Sequence, residues 1–126
     1  TPSDDFPAPP QELSSDSGSL EAFRRETPSF RFTGFQVEKC RPDDVKAVLA
    51  VLQKMEKMPW DDVFKLKGFD YKKIEARGKT LNRLGNRLPT DAMLHSIRVN
   101  DKARLFGYRV GSVFYVLHYD PNHELT

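Results

Sequence analysis

The sequence DAMLHSIRVNDKARLFGYRVGSVFYVLHYDPNHEL, from Asp91 to Leu125, contains three of the four strands predicted for this chain. From Met93 to Val99 apolar side chains alternate with polar ones, a pattern typical of a half-buried strand. Asn100-Asp101 then supplies the residue types that favour a turn. The stretch is therefore predicted to begin with a β-strand that is followed by a turn.

Two further strands are predicted in the same stretch. One runs from Leu105 to Val110, and Gly111-Ser112 stands where a tight hairpin turn is expected. The chain then returns antiparallel from Val113 to Tyr119. Gly107 lies inside the first of these strands and predicts a bulge or a close backbone approach.

One strand and two helices are predicted before this stretch. The run FRFTGFQVE from Phe30 to Glu38 alternates as a strand does. Arg41-Pro42-Asp43-Asp44 suits a first helical turn, and apolar residues at spacings of three and four continue to Met58. Pro59 precedes a shorter helix that extends toward Lys67. The order β, α, α, loop, β, β, β predicts an α+β fold with two helices on one face of a small, mostly antiparallel sheet.

Residues 1–29 differ in composition from the rest of the chain. They contain five of the nine prolines and six serines, and they carry a net charge of −4. This composition predicts a disordered acidic arm, followed by a single basic domain over residues 30–126 with a net charge of +6. Three roles stay open for the arm. It is interpreted as a simple linker, as a segment that docks on the basic part, or as a handle for recognition or degradation.

The composition argues against a membrane protein and against a metal site. The 126 residues are 38% hydrophobic and 30% charged, and no window approaches the roughly 18 apolar residues that a spanning helix needs. The sequence shows no secretory signal, and Cys40 is the single cysteine, which together favour a cytoplasmic setting. Cys40 is interpreted as a half-buried thiol rather than a nucleophile. Three scattered histidines give no convincing metal-ligand set, so no cofactor is predicted.

Positive charge is concentrated from Lys65 to Arg87, which we call the basic segment. It carries a net charge of +6 over 23 residues, with Phe69 and Tyr71 interleaved. This pattern favours binding to a phosphate backbone, and a solvated surface is the alternative. The segment is predicted to be rich in loops, with a helical turn over residues 71–76. The predicted nucleic-acid-binding residues are Lys65, Lys67, Lys72, Lys73, Arg77, Lys79, Arg83 and Arg87.

A motif in the last third of the chain joins Arg104-Leu105, Tyr108 and Val110 on one strand to a tight turn, an apolar strand and His123. This motif resembles the RelE/ParE/YoeB/YafQ superfamily of small bacterial toxins, many of which cut messenger RNA on the ribosome. It is also similar to the ending GFR…FYVLWxDPNH of small phage and prophage proteins. The resemblance implies a RelE-like fold and a toxin-like protein of a toxin-antitoxin or phage-related system.

The resemblance also implies binding to RNA or the ribosome and metal-independent ribonuclease activity. Cleavage by attack of a 2′-hydroxyl needs a base, an acid and cations near the phosphate. By their places in the motif, His123 is the candidate for proton transfer, Arg104 for phosphate contact, and Tyr119 is a weaker catalytic candidate. His123 also follows a turn sequence that it could cap. His95 and His118 alternate with apolar residues and are predicted to belong to the core.

Two other functions stay open. The first is a non-enzymatic inhibitor that binds a host protein such as a replication or translation factor, with an antitoxin as a further partner. The second is a structural or DNA-contacting phage protein, although no helix-turn-helix or zinc-finger motif supports base-specific recognition.

Overall fold

The fold is given by a computed structural model, which describes residues 22–75, 78, 84 and 87–122. One five-stranded sheet has the strand order β1-β5-β4-β3-β2. The strands are β1 Ser29–Phe32, β2 Lys72–Lys73, β3 Leu94–Arg98, β4 Arg104–Val110 and β5 Val113–Asp120. β1 pairs with β5 in parallel, and the other three pairings are antiparallel. The predicted α+β class with a mostly antiparallel sheet is confirmed.

Two helices cover one face of the sheet. Helix α1 is Pro42–Met55, with Asp43 and Asp44 in its first turn, where carboxylates favour the positive end of the helix dipole. It ends at Met55 rather than near Met58. Helix α2 is Trp60–Lys65 and begins directly after Pro59. Both helices begin where a proline followed by acidic residues predicts a helix start.

The main core lies between these helices and the sheet. Trp60 is fully buried there, and its Nε1 donates a hydrogen bond to the backbone oxygen of Ser112 at 2.9 Å. This bond ties α2 to the turn between β4 and β5, because Ser112 belongs to that turn. The core contains Val48, Leu52, Met55, Trp60, Val63, Ile97, Leu105, Phe114 and Val116.

Part of the basic segment covers the opposite face of the sheet. A second, smaller core cluster consists of Leu84, Leu94, Phe106 and Leu117, with Ile74, Leu88 and Tyr108 packed against it. Leu84, Ile74 and Leu88 all belong to or adjoin the basic segment. Within the segment, the described residues Ile74 and Leu84 therefore anchor the chain to this face of the sheet.

The hairpin between β4 and β5 contains both predicted glycine features. Gly111 has a φ of +61°, a conformation that glycine adopts with little strain, so the tight turn is confirmed. In the strands, pairing shifts from Phe106 opposite His118 to Gly107 opposite Val116, which leaves Leu117 as an extra residue in β5. The predicted bulge is therefore confirmed.

Gly107 also meets the neighbouring strand more closely than a side chain would allow. A Cβ atom at this position would collide with the carbonyl oxygen of Tyr115 and would lie 2.6 Å from a ring carbon of Phe114. The predicted close backbone approach is thus also present.

Two predicted elements differ from the structure. The strand predicted over residues 30–38 is only Ser29–Phe32, because Gly34 takes a φ of +70° and the chain then forms a 3-10 turn at Val37–Lys39. The helical turn predicted over residues 71–76 was wrong. Lys72–Lys73 instead pairs antiparallel with β3, because nonlocal pairing outweighs local propensity in so short a segment.

The boundary of the predicted arm also differs. Residues 1–21 lie outside the described residues, but residues 22–29 are part of the domain. Phe23 is buried in the 3-10 turn Phe23–Arg25, and Ser29 begins β1. The guanidinium carbon of Arg109 lies 3.7 Å from the centroid of the Phe23 ring, and this cation–π contact helps to hold Phe23 in the domain.

Candidate functional site

A polar pocket of about 230 Å³ lies where β5 ends. One wall is formed by the 3-10 turn Val37–Lys39 and the start of α1, and the other by the end of β5 and by Arg87. The titratable residues that line it are Lys39, Cys40, Arg41, Asp44, Arg87, His118 and Tyr119. Three of these carry positive charge and one is a carboxylate, so we expect the pocket to attract anions.

Arg87 is held in the pocket wall by backbone carbonyls. Its Nη1 donates hydrogen bonds to the oxygens of Leu117 at 2.8 Å and Gly34 at 3.1 Å, and its Nε donates to the oxygen of Leu84 at 3.1 Å. These three carbonyls come from the bulge in β5, the loop after β1 and the basic segment. The guanidinium therefore joins three separate parts of the chain and is fixed in place.

His118 enters the pocket because of the bulge. Strict alternation places it on the same face as Phe114 and Val116, the face that the helices cover. The extra residue Leu117 reverses that parity, so His118 pairs across from Phe106 on the opposite face. The predicted face of His118 was therefore wrong. The half-buried imidazole lines the polar pocket instead.

Tyr119 lies on the helix-side face and forms the inner end of the pocket. Its hydroxyl donates a hydrogen bond to Oδ1 of Asp44 at 3.0 Å, which ties β5 to the first turn of α1. Burial, reinforced by the hydrogen bond and charge of the Asp44 carboxylate, raises the pKa of Tyr119. The phenol therefore stays protonated at neutral pH, which suits a structural role better than proton transfer.

Cys40 also lines the pocket. Burial raises the pKa of its thiol, and the carboxylates of Asp44 and Glu38 raise it further. Because the thiolate is the nucleophilic form, these neighbours disfavour a nucleophilic cysteine at neutral pH. The interpretation of Cys40 as a half-buried structural thiol fits this environment.

Arg104 is engaged in the turn between β3 and β4. Only 6% of the residue is exposed, and its Nη1 donates to the backbone oxygens of Asn100 at 2.9 Å and Ala103 at 3.0 Å. Its cross-strand partners are Arg98 and the buried Asp120. Arg104 is not one of the described residues that line the polar pocket. Its position suits stabilisation of the turn rather than contact with an external phosphate.

Of the predicted nucleic-acid-binding residues that the structure describes, only Arg87 lines the polar pocket. Lys65 forms an ion pair with Asp61 on α2 at 3.3 Å, and Lys72 forms one with Asp70 at 3.5 Å. Lys73 is exposed on the edge strand β2, at the opposite end of the strand order from β1. Lys67 is exposed in the turn after α2. His123, Arg77, Lys79 and Arg83 lie outside the described residues.

An aromatic cluster at the hairpin-turn end of the sheet contains buried polar groups that the sequence patterns did not indicate. We define it as Phe23, Trp60, Phe64, Tyr71 and Phe114. The guanidinium of Arg109 lies over Phe23 and donates from Nη1 to the oxygen of Gly111 at 2.8 Å. The ring that Arg109 contacts is distant in the sequence, so the residues around Arg109 do not predict this contact.

His95 packs against this cluster, as predicted for a core histidine. Its ring stacks on Tyr71 with centroids 4.9 Å apart. Burial lowers the pKa of His95, and the nearby charge of Arg109 lowers it further. Burial also raises the pKa of Tyr71 to about 12, partly offset by Arg109. Both side chains are therefore neutral in the folded protein at neutral pH.

The described ranges hold neither a cluster of metal ligands nor a membrane-spanning helix. No group of three or more histidine, cysteine, aspartate or glutamate side chains is placed there to hold a metal ion. No helix in the same part of the chain is long and apolar enough to cross a membrane.

No protein-family model, curated protein or solved structure matches the chain. The function is therefore inferred from the geometry of the polar pocket and from the C-terminal sequence motif.

Proposed function

We propose that this protein is a toxin-like member of a bacterial toxin-antitoxin or phage-related system, and that it binds RNA with a phosphate held at the polar pocket. The observation that carries the proposal is the convergence of Lys39, Arg41 and Arg87 on one pocket, where Asp44 supplies the sole carboxylate among the described lining residues.

The electrostatics of the pocket favour an anion. Lys39 and Arg41 line the pocket and are exposed, so both can contact a phosphate. The Asp44 carboxylate opposes them, but it accepts the hydrogen bond from Tyr119 inside the pocket. Arg87 adds positive potential from a fixed position. The geometry thus supports backbone recognition rather than reading of bases.

RNA cleavage belongs to the same proposal, with revised residues. Attack by a 2′-hydroxyl requires a general base and a general acid, roles that imidazole can serve, and His118 lines the pocket beside the cations. His123 follows it by five residues and remains the second candidate. Arg104 and Tyr119 are weaker candidates because the first is bound to turn carbonyls and the second stays protonated.

RNA binding is tested by the fluorescence anisotropy of a labelled single-stranded RNA titrated with the full chain. We expect the double variant K39Q/R41Q to bind about tenfold more weakly or worse. The matched control K54Q/K57Q removes two exposed lysines near the end of α1 and should bind normally. If two or three phosphates are contacted, wild-type affinity should fall roughly 7- to 20-fold between 50 and 200 mM salt. Equal loss in both variants would contradict the assignment to the pocket.

Cleavage is tested by incubating RNA with the protein, alone and with ribosomes. We expect H118Q and H123Q to slow cleavage while RNA binding is retained. Intact RNA in both conditions would remove the nuclease part and leave the binding part standing. A protein retained stoichiometrically from bacterial lysate in high salt, without RNA binding, would instead favour the inhibitor of a host protein.

A further inference from the structure

An apolar groove adjoins the polar pocket. It has a volume of about 360 Å³ and lies between the end of β1, the 3-10 turn Val37–Lys39 and the first half of α1. Three large apolar side chains on its surface are about half exposed: Phe32 at 50%, Val37 at 51% and Leu49 at 48%. So much exposed apolar surface in one place indicates a binding surface.

The shape and chemistry of the groove restrict what can fill it. Phe32 and Phe35 form an aromatic wall, with ring centroids 5.4 Å apart. Phe35 and Cys40 line both the groove and the polar pocket, so the two are continuous. An occupant that fits both therefore combines apolar or proline residues with acidic residues at one end.

We propose that residues 4–13 of this same chain, DDFPAPPQEL, occupy the apolar groove. This segment has three prolines, the apolar residues Phe6 and Leu13, three acidic residues and no basic residue. The part from residue 22 onward carries a net charge of +7, against −5 for residues 1–21, so the two parts attract each other.

The proline content favours docking in an aromatic groove. Proline fixes φ and favours the extended polyproline conformation, so such a segment loses little entropy when it binds. Proline-rich segments are bound by aromatic-lined grooves for this reason. Phe6 supplies an apolar side chain for the groove, and Asp4 and Asp5 beside it match the cations Lys39 and Arg41 at the pocket.

The chain is long enough to reach. Leu13 precedes Ala22 by 9 residues and Phe6 precedes it by 16, so they can extend roughly 30 Å and 55 Å from it. A domain of about 100 residues has a radius of gyration of roughly 13 Å, so the reach of Phe6 exceeds the width of the domain. Tethering also raises the local concentration of the segment to the order of millimolar, so a weak contact is enough.

The contact is tested in the full chain by paramagnetic relaxation in NMR. A nitroxide is attached at Ser3→Cys in a Cys40→Ala background, and amide signals are compared before and after reduction of the label. We expect selective loss of signal intensity for residues 32–37 and 45–49, restored on reduction. The loss should disappear when Phe6 and Leu13 are both changed to serine. Uniform or absent broadening at these residues would overturn the proposal.

Two controls identify the surface and the occupant. Leu49→Asp should abolish the broadening, whereas Leu66→Asp should preserve it, because Leu66 is similarly exposed at 47% but does not line the groove. Spin-labelled chain is also mixed with isotope-labelled chain that has no nitroxide. Broadening in that mixture would assign the groove to the arm of a second copy and overturn the intramolecular contact. None of these measurements involves RNA, so their outcome is independent of the proposed function.

Discussion

Two apolar regions lie at opposite ends of β1 on the same face of the sheet, and only one of them is covered. At the hairpin-turn end, Phe30 contacts Phe114, and Trp60 is fully buried in the aromatic cluster. At the other end, Phe32 is half exposed in the apolar groove. The residue types are alike. The difference is that α2 and the turn Phe23–Arg25 lie over the first region.

This difference separates stability from binding. Full burial of a large apolar side chain contributes about 1.5–3 kcal/mol to the free energy of unfolding, whereas a half-exposed side chain contributes much less. The aromatic cluster therefore holds the domain together, and the apolar groove keeps surface available for a ligand. Substitutions at the two ends should differ accordingly.

The largest effect is expected for Trp60→Ala. The free energy of unfolding should fall by about 3–5 kcal/mol, because the indole is fully buried and its hydrogen bond to Ser112 is lost. Urea denaturation followed by circular dichroism measures this change. A loss below about 1 kcal/mol would mean that the covered end is not the stabilising one.

Gly107→Ala should be the next most destabilising change, at about 1–3 kcal/mol. The added methyl group would collide with the backbone of Tyr115 and with the Phe114 ring, inside the covered region. Gly68→Ala is the matched control, since no atom lies within 4 Å of a Cβ there. Thermal denaturation of both variants should separate them clearly, and equal melting temperatures would contradict the close approach.

Tyr119→Phe should cost about 0.5–1.5 kcal/mol, because it removes the hydrogen bond to Asp44 that joins β5 to α1. Both residues line the polar pocket, so the contact also supports that pocket. A double-mutant cycle with Asp44→Ala, which removes the acceptor, measures the coupling. If the two losses were simply additive, the hydrogen bond would not contribute to stability.

Leu49→Gln at the open end should change the free energy of unfolding by about 1 kcal/mol or less. The leucine is half exposed, and glutamine keeps helix propensity and part of the apolar stem. Its buried neighbour Val48→Gln should cost distinctly more. Denaturant titrations of the pair test the comparison within a single helix, and similar costs would show that the groove is part of the core.

The smallest effect is expected in the pH dependence of stability. Because the pKa of His95 is lowered in the folded protein, the unfolded chain takes up a proton first as the pH falls below about 6.5. The contribution of the neutral imidazole is complete above that pH and is lost as the pH falls toward the lowered pKa. Melting temperatures from pH 7.5 to 5.5 should decline more steeply for wild type than for His95→Gln. Parallel curves would argue against the burial of a neutral His95.

Local signals made half of the fold predictable. Gly111 and the alternation on either side of it specify the β4–β5 hairpin, and Pro42 with Asp43-Asp44 specifies the start of α1. The remaining elements depend on partners that are distant in the sequence. β1 is a parallel strand only because β5 lies beside it, and Lys72–Lys73 is a strand only because β3 does.

The candidate site was harder to predict than the fold. Arg87 was identified by its charge, but the pocket around it combines three separate segments, and no spacing in the sequence brings them together. Gly107 indicated a bulge, yet it did not show that Leu117 on the other strand is the extra residue. One inserted residue changes the face of His118, and alternation alone cannot detect it.

The parallel pairing of β1 with β5 also affects the order in which the sheet can assemble during translation. Ser29 lies opposite Val113, so the ribosome makes β1 84 residues before the strand that it pairs with. At 5–20 residues per second this interval lasts roughly 4–17 s. During that time Phe30 and Phe32 have no strand to join. β3, β4 and β5 pair with near neighbours in the sequence, so each can join the sheet as it emerges. β1 is therefore translated before the other strands of this sheet, but it can pair only after β5 has been made.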